Sequence, residues 1–465
     1  MDNKVNLLVI GSGPGGYVAA IRAAQLNLSV KIVERSELGG ICLNWGCIPT
    51  KALLKSAQAL HYSQNAKEYG LQIDGTVSAD ISAVVSRSRS VANSMSRGVE
   101  FLLKKSKVEV IQGTAKIKCQ GLVSVTASDG SVSEIEADNI IIATGASPNY
   151  LPFAPIDGEK IISYRNALVP EKLPAKMVVI GSGAIGSEFA YFYNSMGVEV
   201  VLVEYLDAIV PLEDEDVSAQ LSRSFRKSGI KVLTSAGVTA VDTSGSGVVV
   251  TVETKKGTEV IEADVVLSAT GVKANIENIG LEECGIKVEK GKIIVDNLYK
   301  TSVNGIFAIG DVINTPALAH VASAEAIKCV EAIAGMNPEP IDYNNIPSCI
   351  YTLPEVASVG ITEKKAKESG LNYVVGKFPF TASGKATAAG DRDGFVKIIA
   401  DAKTDKILGA HLIGANVTEM ISGVVMARNM GVTAKDIINT IHPHPTMSEA
   451  LLEAASAIHG EAIHI

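Results

Sequence analysis

Two cysteines five residues apart have the spacing for redox chemistry. Cys42 and Cys47 lie in the segment GGICLNWGCIPTKALL (39–54). Because proline fits the first turn of a helix, the sequence predicts a helix beginning near Pro49. Cys47 would then lie at a helix N-terminus, where the helix dipole favours a thiolate, and Lys51 shares its face if the helix begins early enough. The alternative is a pair of buried structural cysteines, the commoner fate of an intracellular cysteine.

A glycine-rich segment occurs twice, as VNLLVIGSGPGG (5–16) and AKMVVIGSGAIG (175–186). Each copy begins with an apolar strand pattern and continues with a glycine turn, a small-residue helical segment and a second strand pattern. In such a unit the first glycine makes the tight turn, the second lets the backbone approach a diphosphate, and the third lets the helix pack on the strand. These glycines are Gly11, Gly13 and Gly16 in the first copy and Gly181, Gly183 and Gly186 in the second.

Each copy also has an acidic residue where a ribose is expected. Glu34 and Glu204 lie 18 residues after Gly16 and Gly186, close to the ~20 residues typical of an acid that binds ribose hydroxyls. A 2′-phosphate would meet a carboxylate there, so both sites are expected to prefer unphosphorylated ribose. A glycine turn without a ligand is the alternative, but two copies with strand, helix and acid in register favour two dinucleotide sites. Three more strands ending at glycine turns are predicted at IIIATG (140–145), VLSATG (266–271) and GIFAIGD (305–311).

The cysteine pair indicates which dinucleotide binds where. A dithiol exchanges two electrons, nicotinamide exchanges a hydride, and a flavin can do both. Because the cysteines follow directly on Glu34, we expect FAD at the first copy and NAD at the second.

Composition excludes several classes of protein. The 465 residues, 47% of them hydrophobic, are enough for about three domains at ~150 residues each. Fifty acidic against 42 basic residues give a net charge of −8, which argues against nucleic acid or an anionic membrane surface as a partner. No run of ~18 apolar residues predicts a membrane span, and six cysteines are too few for a secreted disulfide framework. The N-terminus enters a strand pattern at once, so a soluble, cytoplasmic protein is expected, with a processed organellar form left open.

The sequence resembles the pyridine nucleotide–disulfide oxidoreductase family over essentially its whole length. The resemblance is carried by GSGPGGY, GGICLNWGCIPTKALL, GSGAIGSE, GIFAIGD and HPHPTMSEA. The last motif is similar to the branch of the family that oxidises dihydrolipoyl groups with NAD⁺. That branch serves 2-oxo acid dehydrogenase complexes and glycine cleavage. No metal is expected.

The resemblance implies roles for individual residues. Cys42 is expected to exchange thiols with the substrate, Cys47 to face the flavin, and His444 to act as the base that Glu449 orients. Lys51 and Glu188 are expected to pair beside the flavin ring. The remaining FAD contacts are expected at Gly11, Gly13, Pro14, Gly16, Glu34, Arg35, Gly40, Lys51, Ala115, Thr144, Gly145, Ala146, Gly310, Asp311, Ala317, Leu318, Ala319 and His320. The NAD contacts are expected at Gly181, Gly183, Ala184, Ile185, Gly186, Glu188, Glu204, Val238 and Gly271. One stretch, GVKAN (271–275), departs from the Gly-Arg-x-Pro-Asn of many relatives.

The resemblance also implies a fold. We expect an α/β protein of glutathione-reductase-like architecture, with two Rossmann-like dinucleotide domains and an α/β dimerisation domain. The expected boundaries are 1–150 for the FAD domain, 151–270 for the NAD domain, 271–345 for a segment completing the FAD domain, and 346–465 for the interface domain. In the last domain FVKIIAD and ILGAHLIG are predicted strands and TEMISGVVMARNMG an amphipathic helix.

Partners follow from the same resemblance. A homodimer is expected, in which each chain lends His444 and Glu449 to the other's active site. Lipoyl-bearing and subunit-binding domains of 2-oxo acid dehydrogenase complexes are the expected further partners. Two alternatives stay open: another FAD/NAD(P)H disulfide reductase acting on a small disulfide, and a non-catalytic FAD-binding subunit of a larger assembly.

Overall fold

Strands form on the apolar, β-branched runs of the sequence, and helices on its small-residue and amphipathic runs. A computed structural model describes residues 4–465. Its strands are β1 (Lys4–Ile10), β2 (Val30–Glu34), β3 (Glu109–Gln112), β4 (Thr114–Cys119), β5 (Leu122–Thr126), β6 (Val132–Ile142), β7 (Ala146–Pro148), β8 (Ile161–Ile162), β9 (Lys176–Ile180), β10 (Glu199–Val203), β11 (Lys231–Leu233), β12 (Ala236–Asp242), β13 (Val248–Thr254), β14 (Gly257–Ala263), β15 (Val265–Ser268), β16 (Val272–Ala274), β17 (Val288–Glu289), β18 (Lys292–Ile293), β19 (Ile306–Ala308), β20 (Ser348–Ile350), β21 (Glu355–Gly360), β22 (Tyr373–Pro379), β23 (Phe395–Asp401) and β24 (Ile407–Gly414).

The α-helices include the predicted helix after each glycine turn. They are α1 (Pro14–Gln25), α2 (Gly40–Asn44), α3 (Cys47–Gln64), α4 (Ile81–Lys105), α5 (Tyr164–Ala167), α6 (Ala184–Ser195), α7 (Glu215–Lys227), α8 (Ala319–Ile333), α9 (Glu363–Glu368), α10 (Gly384–Ala389), α11 (Val417–Asn429), α12 (Ala434–Asn439) and α13 (Glu449–Ile458). Short 3₁₀ turns cover Ala66–Tyr69, Gly310–Val312, Tyr343–Asn345 and Phe380–Ala382. Within residues 4–465 no helix combines the length and the apolarity needed to cross a membrane.

The chain divides into two units. The first unit contains residues 4–52, then Val85–Asn149 and Val272–Ile341. Its sheet has the strand order β3-β2-β1-β6-β5-β4, with β19 also paired to β6. Strands β3, β2, β1, β6 and β19 run parallel, whereas β4, β5 and β6 form an antiparallel meander. The core beneath this sheet is buried and apolar, as expected for parallel strands.

The second unit contains Leu53–Val84, Tyr150–Gly271 and Asp342–Ile465. It holds a parallel sheet of order β11-β10-β9-β15-β8, an antiparallel sheet β12-β13-β14, and an antiparallel sheet of order β20-β21-β24-β23-β22. Helix α13 packs on β22 and β23, and α11 packs on β21 and β24. The predicted strands 395–401 and 407–414 and the predicted helix after them are confirmed, as is the α/β class.

The first glycine of each copy has the conformation that its turn requires. Gly11 and Gly181 have φ of +99° and +97°. A Cβ on Gly11 would lie 2.4 Å from the carbonyl oxygen of Ala143, and one on Gly181 would lie 2.5 Å from that of Ala269. These two carbonyls directly follow the neighbouring parallel strands β6 and β15. A Cβ on Gly16 or Gly186 would lie 1.9 Å from the carbonyl oxygen of Gly11 or Gly181. Only glycine therefore fits at these four positions.

Candidate functional site

The two cysteines lie on consecutive helices. Cys42 belongs to α2, and Cys47 is the first residue of α3, so the helix begins two residues before the predicted Pro49. Trp45 N–H donates to the Ile41 carbonyl at 2.7 Å, which ends α2. Thr50 N–H donates to the Gly46 carbonyl at 3.0 Å, which opens α3. The predicted position of Cys47 at a helix N-terminus is confirmed.

The thiols of this pair lie within hydrogen-bonding reach of each other. Hydrogen bonding to Cys47 and burial both raise the pKa of the Cys42 thiol, and the charge of Lys51 opposes this rise only partly. Cys42 is half-buried, whereas Cys47 is exposed. The helix dipole favours negative charge at Cys47, whereas the raised pKa of Cys42 disfavours a thiolate on that residue.

The first glycine turn is held by a carboxylate. Glu34, at the end of β2, accepts hydrogen bonds on Oε2 from Ser12 N at 2.8 Å and Ser12 Oγ at 2.6 Å. Its Oε1 accepts the Ser36 amide at 2.9 Å. An ionised carboxylate has about four acceptor sites, so Glu34 can also accept from a ribose hydroxyl.

The second turn repeats this network. Glu204 Oε2 accepts from Ser182 N at 2.9 Å and Ser182 Oγ at 2.7 Å, and its Oε1 accepts the Leu206 amide at 2.8 Å. Ser12 and Ser182 were not among the predicted residues. Their identical position in the two GSG sequences was the signal that could have revealed them.

Other predicted flavin contacts meet at the first turn. Pro14 begins α1 behind its N-cap Gly13, and Gly40 begins α2. A Cβ on Gly40 would lie 2.6 Å from Gly13 Cα. The cysteine segment is therefore packed directly on the turn that would hold a diphosphate. Arg35 is exposed just after β2, and Ala115 is buried in β4.

A second group of predicted flavin contacts surrounds the start of α8. Gly310 and Asp311 form the 3₁₀ turn Gly310–Val312. Gly310 N–H donates at 2.6 Å to Oε2 of Glu325, which is fully buried on α8. Burial raises the pKa of Asp311, and Lys292 opposes this only in part. Ala317 and Leu318 lead into α8, which begins with Ala319 and His320.

The segment after β6 is tied to the stretch that departs from the family pattern. Thr144 Oγ1 donates to the Asn275 carbonyl at 2.6 Å, and Asn275 Nδ2 returns a bond to the Thr144 carbonyl at 3.0 Å. Residues 272–274 form β16, antiparallel to β7, which begins at Ala146. The departure therefore falls in a short strand, and Asn275 keeps a defined contact beside Gly145.

His444 is oriented by Glu449. His444 Nδ1 lies 2.8 Å from Glu449 Oε1, and Glu449 Oε2 accepts the Thr446 amide at 2.8 Å. Burial alone would raise the pKa of Glu449, but the bonds from Thr446 and His444 outweigh it and hold that pKa below its usual value. Glu449 is the first residue of α13, where a helix dipole also favours its negative charge. With Nδ1 engaged, Nε2 of His444 is the nitrogen that can take a proton.

The predicted residues of the second copy lie along α6 and the strands near it. Ala184 and Ile185 open α6 behind its N-cap Gly183. Glu188 is buried on the same helix, and its Oε1 accepts the Tyr351 amide at 3.0 Å. Val238 lies in β12, and Gly271, with φ +98°, follows β15.

The predicted catalytic residues are divided between the two units. Cys42, Cys47 and Lys51 belong to the first unit, whereas Glu188 and the His444–Glu449 pair belong to the second. The pairing of Lys51 with Glu188, and the action of His444 on the dithiol, stay predictions.

Comparison with known proteins covers the whole chain. A family described as pyridine nucleotide-disulphide oxidoreductase matches residues 5–326, and the dimerisation domain of the same family matches residues 346–455. Dihydrolipoyl dehydrogenase from Rhizobium etli is 48% identical, with 100% of both chains covered. Dihydrolipoyl dehydrogenase from Zymomonas mobilis is also 48% identical with 100% of both covered. The crystal structure of LpdA from Mycobacterium tuberculosis superposes with a TM-score of 0.90 at 29% identity, over 97% of this chain and 99% of the other.

Proposed function

Because the chain belongs to the pyridine nucleotide-disulphide oxidoreductase family, we propose that it oxidises dihydrolipoyl groups with NAD⁺ through FAD and the Cys42–Cys47 pair. The predicted family and enzyme class are confirmed by 48% identity, over the full length, to two dihydrolipoyl dehydrogenases. The observation that carries the proposal is the thiol pair formed by Cys42 on α2 and Cys47 at the start of α3, held beside the first glycine turn.

The two turns fit the proposed cofactors. A Cβ at Gly13 or Gly183 would have nothing within 4 Å, so the space above each helix N-terminus is open to a diphosphate. Below it, Glu34 and Glu204 hold the turns and retain acceptor capacity for a ribose. FAD at the first turn would supply a two-electron acceptor between a dithiol and the nicotinamide of NAD⁺.

The chain's own residues account for the thiol chemistry. His444 Nε2 takes the proton of one dihydrolipoyl thiol, and the thiolate attacks Cys42 Sγ. The Cys42–Cys47 bond breaks, a mixed disulfide forms on Cys42, and Cys47 leaves as a thiolate at the helix N-terminus. The second substrate thiol displaces Cys42, so the lipoyl disulfide is released and Cys42 recovers a proton.

The proposal also assigns a cofactor or an interface to each predicted domain. We assign 1–150 and 271–345 to FAD, 151–270 to NAD, and 346–465 to the interface of a homodimer. The match to the family's dimerisation domain supports the dimer. The relatives' printed name, dihydrolipoyl dehydrogenase, supports a dihydrolipoyl group as the substrate. We propose that lipoyl-bearing domains of 2-oxo acid dehydrogenase complexes present this group. The cytoplasmic location stays a prediction.

Turnover assays test the proposal. The purified holoenzyme is expected to reduce NAD⁺ with free dihydrolipoamide, and to reduce glutathione disulfide with NADH much more slowly. The reverse preference would favour a reductase of small disulfides. Absence of NAD⁺ reduction with every dithiol would favour a non-catalytic FAD-binding subunit.

A further inference from the structure

Helix α4 holds the cysteine segment through four side chains that donate to main-chain carbonyls. Ser96 Oγ donates to Leu38 O at 2.8 Å, Ser88 Oγ to Pro49 O at 2.9 Å, Arg87 Nη1 to Ala52 O at 2.8 Å, and Arg89 Nη1 to Asn44 O. The acceptors lie before, between and after the two cysteines. Of these donors, Arg89 is the one that reaches the stretch between Cys42 and Cys47.

Arg89 makes a second contact in that stretch. Its guanidinium carbon lies 4.1 Å from the ring centre of Trp45, a cation–π arrangement. The Trp45 indole N–H donates to Glu37 Oε1 at 3.1 Å. Trp45 is therefore fixed on one side by Glu37 and over its ring by Arg89.

The carbonyl that Arg89 reaches needs an external partner. Asn44 is the last residue of α2, and the last carbonyls of a helix have no partner within the helix. A cation at this end also complements the helix dipole. The Asn44 side chain in turn donates from Nδ2 to the carbonyls of Leu38, at 2.8 Å, and Gly40, at 3.0 Å, so both ends of α2 depend on the residue that Arg89 holds.

We propose that Arg89 is a positioning residue for disulfide exchange. It keeps the chain between Cys42 and Cys47 in the conformation that holds the two sulfurs within bonding reach after the disulfide opens. The inference rests on the proposed function of the cysteine pair. It adds a residue outside every expected catalytic and cofactor-binding position.

The physical consequence is a shift in the dithiol–disulfide equilibrium. A loosened loop lets the reduced sulfurs separate, whereas the disulfide form keeps them joined. Loss of Arg89 therefore stabilises the dithiol relative to the disulfide, and the midpoint potential rises. We expect about a tenfold shift, which for a two-electron couple is about 30 mV.

The test compares Arg89→Met and Arg89→Lys with the matched control Arg97→Met, since Arg97 is an exposed arginine on the same helix. Each holoenzyme is equilibrated with mixtures of reduced and oxidised dithiothreitol, quenched in acid and alkylated. The fraction of the Cys42–Cys47 peptide in the disulfide form is then measured by mass spectrometry. Emission of Trp45, the single tryptophan of the sequence, reports whether the stretch between the cysteines has changed.

The expected order of potentials is control equal to unaltered enzyme, Arg89→Lys intermediate, and Arg89→Met highest. An unchanged potential in folded Arg89→Met, even with a lower melting temperature, would overturn the positioning role, and so would an equal shift in Arg97→Met. If Arg89→Met does not fold, Arg89→Lys decides: a shift of about threefold is expected, and no shift contradicts the inference. The dithiothreitol equilibrium does not use dihydrolipoamide, so failed turnover of the unaltered enzyme contradicts the proposed function alone.

Discussion

At the scale of single residues, His444 and Glu449 make a sharp prediction. Replacing His444 by Gln removes the proton acceptor, and general-base catalysis typically contributes 10²–10⁴-fold. We expect a loss of about that size in kcat for dihydrolipoamide oxidation. NADH oxidation by an artificial acceptor needs no thiol deprotonation and should change less than about twofold by the same reasoning.

His442→Gln is the matched control for this measurement. His442 belongs to the same motif, but its Nε2 lies 3.3 Å from the Ile437 carbonyl. It should retain dihydrolipoamide turnover. Equal loss of both activities in His444→Gln would instead indicate a structural role for that histidine.

Coenzyme choice is a second prediction at this scale. NADPH should be a poor substitute for NADH, because its 2′-phosphate would approach the Glu204 carboxylate. Glu204→Gln keeps an acceptor for Ser182 but removes the charge. The ratio of kcat/KM for NADH over NADPH should fall about tenfold, the equivalent of ~1.4 kcal/mol of lost repulsion. The corresponding Glu34→Gln variant is the control and should leave the ratio unchanged.

Sequence spacing identified the glycines and acids of both turns because each role there demands one residue type. It did not identify Arg89, whose contact with Asn44 joins residues 45 positions apart through the packing of two helices. Spacing alone does not reveal a contact that depends on how two helices pack.

At the scale of elements, a buried ion cluster joins α7 to the sheet β20-β21-β24-β23-β22. Lys397 on β23 and Asp214, the N-cap of α7, are 2.8 Å apart, with side chains only 3% and 1% exposed. Burial alone would raise the pKa of Asp214, but bonds from Lys397 and the Glu363 amide outweigh it and hold that pKa below its usual 3.8. Lys397 also contacts Glu363 at 2.6 Å and Asp216 at 3.1 Å.

Lys397→Met should therefore lower the free energy of unfolding by about 3–5 kcal/mol, because it leaves a buried carboxylate unpaired. The control Lys377→Met removes an exposed partner of Asp216 and should cost about 0–1 kcal/mol. Urea unfolding followed by circular dichroism measures both.

Because the pKa of Asp214 is lowered, its stabilising contribution is present above pH 3.8 and is lost as the pH falls through its folded-state pKa. The difference between Lys397→Met and the unaltered protein should shrink over that range.

The periodicity of hydrophobic residues predicted most of the strands and helices around the site. The expected helix near Pro49 is confirmed: α3 begins at Cys47, and Pro49 lies in its first turn, where the fixed φ of proline is tolerated. The register of the β4–β6 meander and of β12–β14 depends on cross-strand packing, and local pattern does not specify it.

At the scale of the whole molecule, the proposed homodimer can be tested by complementation. Cys47→Ser and His444→Gln each inactivate a homodimer. If His444 acts on the partner chain's dithiol, a heterodimer of the two variants has one site with all its residues intact and one with both defects. Co-expressed, differently tagged chains should then give about half of the unaltered activity per dimer. Activity near zero in the purified heterodimer would mean that His444 serves its own chain.

The order of domains along the chain followed from the repeat and the motif resemblance. Which residues of distant segments meet could not be derived from spacing, since the cysteine pair and His444 lie about 400 residues apart. The family resemblance supplied that expectation, and the heterodimer measures it.

The twin serine–carboxylate networks bear on the redesign of coenzyme specificity. Removing the Glu204 side chain to admit a 2′-phosphate would also strip the acceptor from the Ser182 hydroxyl, the Ser182 amide and the Leu206 amide. Ser182 is fully buried, so each of its two donors left unmet costs about 1–3 kcal/mol. A conversion to NADPH must therefore keep an acceptor for Ser182 at position 204, as Glu204→Gln does, or change Ser182 as well. The Glu204 carboxylate that selects the coenzyme also stabilises the turn, so a substitution at this position changes coenzyme selectivity and stability together.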